Sequence, residues 1–203
     1  MGLISDGTTI FDAGALDSGL AKGAMTFMKK LTASSSATLS FVHGSGGVDF
    51  STHKEYMFTF NNIHGATEDA EFNFQGSIDA GSNYNVAITS TAFQANQTEG
   101  ASTFFGYNGS WDLAQGTGYQ VLFNNLDADN DECLGGSLHL FNPSSTTFAK
   151  HFISRISGVT SADAAQDDYR AGYFNNTSDI DAIQFKMSSG NIDAGDICLY
   201  GIA

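Results

Sequence analysis

The feature that most limits what this chain can become is a recurrent every-other-residue placement of large apolar side chains. Ile183, Phe185 and Met187 alternate with Ala182, Gln184 and Lys186. Tyr56, Phe58 and Phe60 do the same upstream, as do Tyr119, Val121 and Phe123. A helix would scatter such a set around its circumference, whereas an extended backbone gathers it on one face. The pattern therefore predicts half-buried strands. Residues 181–203 express it most fully: a strand through Met187, a connection at residues 188–195 holding two glycines, an Asn and an Asp, and a second apolar run over residues 197–202. Those connecting residues tolerate positive φ, so the pair is expected as a hairpin that closes the core.

The same reading recurs along the chain. Strands are expected at residues 24–31, 38–42 and 54–61, around Phe72 and Phe74, from Tyr84 through Phe93, and at residues 118–124, 137–141 and 170–175. Asn142, Pro143 and Ser144 supply a proline-shaped turn. Phe148, Phe152 and Ile156 are spaced by four, which a helix also satisfies, but flanking glycines, serines and β-branched residues favour strand. About ten short strands separated by turn signals predict an all-β fold, a jelly-roll-like antiparallel β-sandwich over residues 23–203. Residues 1–22, with Phe11, Leu16 and Leu20 among glycines and aspartates, are read as an N-terminal arm or first strand suited to docking on a neighbour. Residues 96–118 form the longest polar, glycine-containing interval and are read as a loop.

Charge narrows the partners. Eight Lys and Arg against twenty-two Asp and Glu give a formal net charge of -14. Such a surface repels phosphate backbones, so no nucleic-acid partner is expected, and salt would screen its self-repulsion. Cys133 and Cys198 define neither a disulfide framework nor a zinc spacing. No basic segment precedes an apolar run, and no apolar run reaches membrane-span length, so the expectations are synthesis in a cytoplasm and no membrane insertion.

Two constellations carry chemistry. Asp127, Asp129 and Asp131 gather hard oxygen ligands and suit calcium, yet Glu132 stands where an EF-hand loop needs Gly and Leu138 where it needs a bidentate Glu. A solvated acidic loop is the favoured reading, and no organic cofactor is implied. Glu68, Asp69 and Glu71, like Asp163, Asp167 and Asp168, read as turn and surface residues. The second constellation is Tyr107, Asn108, Trp111 and Asp112, where aromatic faces could stack on sugar rings and polar groups could bond hydroxyls. The competing role for Trp111 is a lid folded back on the core. The five histidines match neither the HExxH spacing nor a nucleophile motif such as GxSxG, and no catalytic residue is assigned.

Several blocks, MTFMKKLTASSSATLSFV, THKEYMFTFNNIHGAT, LHLFNPSSTTFAKHF, AGYFNNTSDIDAIQFKMSSGNIDAGDICLYGI and the leader GLISDGTTIFDAG, resemble small β-sandwich virion proteins of tailed phages infecting marine bacteria. The likeness runs from Gly2 to Ile202. It implies a virion component of the tail fibre, tail appendage or capsid decoration type, made in the host cytoplasm and lacking catalytic residues. The partners it implies are further copies of the chain, with a homotrimer favoured, other virion proteins, and a host surface glycan or envelope protein. A carbohydrate-active module, either lectin-like binder or glycan depolymerase, is the alternative.

Overall fold

Alternating side chains become strands wherever one face can be covered, and here nearly every expected run is. The structure, a computed structural model, describes residues 24–203 throughout and three short strands before them, β1 (Leu3–Ser5), β2 (Thr8–Asp12) and β3 (Ala15–Leu16). These three pair antiparallel in a small sheet of their own. The remainder of the segment read as an arm lies outside the described residues. Then follow β4 (Met25–Thr32), β5 (Leu39–Val42), β6 (Glu55–Gly65), β7 (Ala70–Ser77), β8 (Ile88–Thr98), β9 (Thr103–Tyr107) and β10 (Ala114–Gly116). The chain continues through β11 (Gln120–Leu126), β12 (Leu134–Phe141), β13 (Lys150–Thr160), β14 (Ala164–Phe174), β15 (Ala182–Met187) and β16 (Ile192–Ile202). No helix forms among the described residues, and the strand pairings are antiparallel, as an all-β sandwich requires.

The strands lie in two layers. The larger runs β4-β16-β6-β12-β13-β14-β8-β9, with β10 in line with β9 along β8; the smaller runs β5-β15-β7-β11. One residue pair, Leu126 with Thr160, joins them as a ladder. Between them sits an aromatic core. Phe185 of β15 is fully buried, and its ring centroid lies 5.3 Å from those of Phe58 and Phe60 on the opposite layer. Phe74 of β7 meets Phe152 of β13 edge-on at 5.0 Å. Each such pair adds about 0.5–1.5 kcal/mol to what burial alone provides.

A different interior lies under the β14 and β8 end of the larger layer. The inward side chains there are Gln166, Asp168 and Arg170 of β14 and Ser90 and Gln94 of β8, all buried. They rest on β11 through polar contacts. Arg170 donates from Nε to the Val121 carbonyl at 3.1 Å and from Nη2 to Asn124 Oδ1 at 3.2 Å, and Gln166 Nε2 donates to the Asn124 carbonyl at 3.2 Å. Asp168 Oδ1 stands 3.2 Å from Arg170 Nη2 without a hydrogen bond between them, while its Oδ2 accepts from Gln166 at 3.0 Å. The pair is thus held by charge, and burial pushes the Asp168 carboxyl up to about 6 against the pull of Arg170. Lys150, also fully buried, donates Nζ to the carbonyls of Asn176 and Ser178, and burial pushes its ammonium down.

Four sequence expectations need correction. The last two strands are not a hairpin: β15 pairs with β5 and β7, β16 with β4 and β6, so residues 188–191 cross from one layer to the other. The interval read as a loop contains the end of β8, all of β9 and β10. Asp168 is no surface residue, and Asp167 lies within β14, where it pairs with Arg155. Finally, a register shift between Val121 and Phe123 breaks the alternation of β11, so that Leu122 and Phe123 are both buried while Val121 is half-buried.

Candidate functional site

Inward polar residues on β14 leave its aromatic ones facing out. Cross-strand register places Arg155 of β13 beside Tyr169 of β14, Tyr169 beside Phe93 of β8, and Phe93 beside Tyr107 of β9. The side chains form a continuous row. The Arg155 guanidinium carbon lies 5.0 Å from the Tyr169 ring centroid, and Tyr169 stacks on Phe93 at 4.9 Å with 8° between planes. Phe105 meets Phe93 edge-on at 6.3 Å. Arg155 is neutralised by Asp167, to which it donates from Nη2 at 2.7 Å and Nε at 3.1 Å, and the Tyr169 hydroxyl donates to the same carboxylate at 3.1 Å. The row therefore carries a balanced pair of charges on a strongly acidic chain.

Beside it runs a trough of ≈ 470 Å³, lined by Thr89, Thr91, His151, Ile153, Ala171 and Tyr173. Gly172, between the outward Ala171 and Tyr173, belongs to the inner side of β14 and lies opposite buried Phe152 and Ser90. At Gly172 a Cβ would stand 2.6 Å from the Thr89 carbonyl oxygen and 2.8 Å from the Phe152 ring, so glycine is what lets β8 and β14 lie flush here. The polar groups of the trough include the hydroxyls of Thr89, Thr91 and Tyr173 and the His151 ring; Thr91 donates to the Ala171 carbonyl at 3.3 Å and Thr89 accepts from Gln115 Nε2 at 2.7 Å.

The four residues singled out for sugar contact stay together at the end of β9. Tyr107 is exposed and donates its hydroxyl to Asp112, whose carboxylate holds the phenol above its ordinary value. Asn108 is occupied by its own loop: its N–H donates to the Ala92 carbonyl at 2.8 Å and its Oδ1 accepts from Ser110 N–H at 3.1 Å. Trp111 is half-buried, and its carbonyl accepts from Gln120 Nε2 at 2.8 Å. Tyr107 thus extends the aromatic row, while Asn108 and Asp112 shape the turn. Phe93, Tyr169, Tyr173 and Ile153 were missed. Their alternation was visible, but it reads as an inward face until the buried Asp168 and Arg170 show which side is which.

The three aspartates read as calcium ligands do not converge. Asp129 and Asp131 are exposed, and Asp127 Oδ1 accepts from the N–H groups of Ala128 at 2.6 Å and Asp129 at 3.1 Å. Among the described residues no group of three His, Cys, Asp or Glu is placed to hold a metal ion. The loop instead joins two carboxyls. Glu132 lies against Asp127, and that hydrogen bond, with burial and the charges of Asp127, Asp163 and Asp131, pushes its carboxyl up to about 7. Asp127 is held below its ordinary value, first by the same hydrogen bond. Glu132 Oε2 is buried and receives no hydrogen bond from any donor, so a proton on Glu132 completes the contact with Asp127. Glu132 borders a cavity of ≈ 430 Å³ lined also by Asn62, His64, Cys133 and Asp193. His64 approaches the Asp129 carbonyl at 3.1 Å and Asp193 at 3.5 Å.

No protein-family model, curated protein or solved structure matches this chain.

Proposed function

We propose that this chain is a structural and attachment subunit of a tailed-phage particle, of the tail fibre or appendage type, acting through the outer side of its larger layer. Its framework is read as a jelly roll: β4-β16-β6-β12 over β5-β15-β7-β11 is the order of two Greek keys wound together, with β8–β10 and β13–β14 as insertions that widen one layer. The observation that carries the reading is the exposed row from Arg155 to Tyr107 and the trough beside it. Stacked aromatic faces with nearby hydroxyls suit the rings of a neutral polysaccharide on a host envelope. Many copies on one particle would turn weak contacts into useful avidity.

Immunogold labelling of purified particles tests the location, with label on the tail expected; label confined to the capsid supports decoration instead, and unlabelled particles end the reading. Calorimetry with host-envelope polysaccharide tests the contact. Saturable binding is expected, weakened at least about fivefold in Tyr169→Ser, since loss of one stacked ring costs roughly 1–3 kcal/mol. Reducing ends released by the wild-type protein would establish a depolymerase.

A further inference from the structure

At the rim of the larger layer β9 hydrogen-bonds β8 on one side and no strand among the described residues on the other. The phase of that ladder is fixed at both ends. Thr98 N–H donates to the Ser102 carbonyl at 2.9 Å, and Asn108 N–H donates to the Ala92 carbonyl at 2.8 Å. Even-numbered residues of β9 therefore bond to β8, and the N–H and C=O groups of Thr103, Phe105 and Tyr107 point away from it. Natural edges are blunted by proline, lysine, bulges or short length. This one has no proline and no charge between Thr103 and Tyr107, and its pairing with β8 is regular. Phe104, Phe105 and Tyr107 are 47%, 75% and 58% exposed.

We propose that β9 is a docking edge for β9 of a second copy, paired antiparallel across a two-fold axis at Phe105, so that two larger layers become one continuous sheet. Three outward peptide groups in a row specify an extended strand as the occupant. Its identity as a second copy follows from self-complementarity. Pairing about Phe105 sets Phe105 against its mate and Thr103 against Tyr107, so all three outward peptide groups of one copy meet those of the other, while each Phe104 ring stays folded over Gly106 of its own strand. Charge limits where two such chains can meet. Two chains of net charge -14 can approach closely only along a neutral seam, and β9 provides one.

Light scattering and sedimentation of the full chain across micromolar to sub-millimolar concentrations test the proposal. The wild-type protein is expected to reach twice its 21.5 kDa. Phe105→Pro deletes an N–H that β8 does not use, and Phe105→Lys places like charges at the axis; both are expected to stay at the monomer mass with unchanged circular dichroism. Hydrogen exchange on the wild-type protein gives a readout independent of any substitution. The amides of Thr103, Phe105 and Tyr107 gain protection as concentration rises, while those of Phe104 and Gly106 are protected throughout. A chain monomeric at every concentration, with those three amides exchanging freely, overturns the proposal. So does an oligomer that survives both substitutions. Either failure leaves the attachment reading intact, because Tyr169, whose replacement tests it, lies on β14 away from the β9 edge.

Discussion

Asp127 and Glu132 divide one proton unequally, and the sign of the resulting pH dependence follows from the two displacements. Glu132 titrates near 7 in the folded chain against an ordinary 4.5, so its contribution to stability is full below about 4.5 and is lost as pH rises through 7. Asp127 is displaced downward from 3.8, and its contribution is present above that value and lost as pH falls further. Wild-type urea midpoints are therefore expected to fall between pH 5 and pH 8. Glu132→Gln keeps a donor for Asp127 without a charge to lose, and its midpoint should fall less over the same window, the remaining slope coming from the raised Asp168 carboxyl. An equal slope in both proteins would contradict the shared proton. Arg170 makes a second case. Removing it strands a buried Asp168 carboxylate, so Arg170→Met is expected to cost about 3–5 kcal/mol in denaturant unfolding, with part regained when Asp168→Asn is added.

At the scale of elements, strand existence was legible and strand partnership was not. Ile183, Phe185 and Met187 announce β15 from their spacing alone, yet the glycines and asparagine after it serve a crossing between layers as well as they serve a hairpin. β9 escaped notice because Thr103, Phe104, Phe105 and Tyr107 are exposed on both faces, which leaves no apolar-to-polar contrast to detect. β14 misleads more deeply: Gln166, Asp168 and Arg170 face in and Tyr169 and Tyr173 lie toward the outer side, the reverse of what polarity predicts. Of the candidate site, Tyr107 was legible and the stacked rings beside it were not, since only cross-strand register unites them. Gly172→Val tests how far this end of the layer is a separate unit. A branched side chain forces β8 from β14, at a cost of about 1–3 kcal/mol. Fluorescence of Trp111, the sole tryptophan, should then report unfolding at lower urea than circular dichroism does, whereas coincident transitions would make the molecule one cooperative unit.

For the whole molecule, self-repulsion is the term that surroundings control most directly. A net charge of -14 opposes compaction, and salt screens it over about 10 Å at 0.1 M and less at higher concentrations. The melting temperature should rise as sodium chloride is raised from low to near-seawater strength, with most of the gain at the low end; a flat profile would mean that local pairs such as Arg155 with Asp167 already compensate the excess. The layering also has a temporal side. Because β16 occupies the slot between β4 and β6, and β15 the slot between β5 and β7, a ribosome delivers the outer strands of each slot long before the one that fills it. Phe58, Phe60, Phe72 and Phe74 must wait for Phe185 of β15, more than a hundred residues later, to cover them. Completion is consequently a late event, slow by its long-range wiring, and a nascent polypeptide of this design is a natural client for holding chaperones.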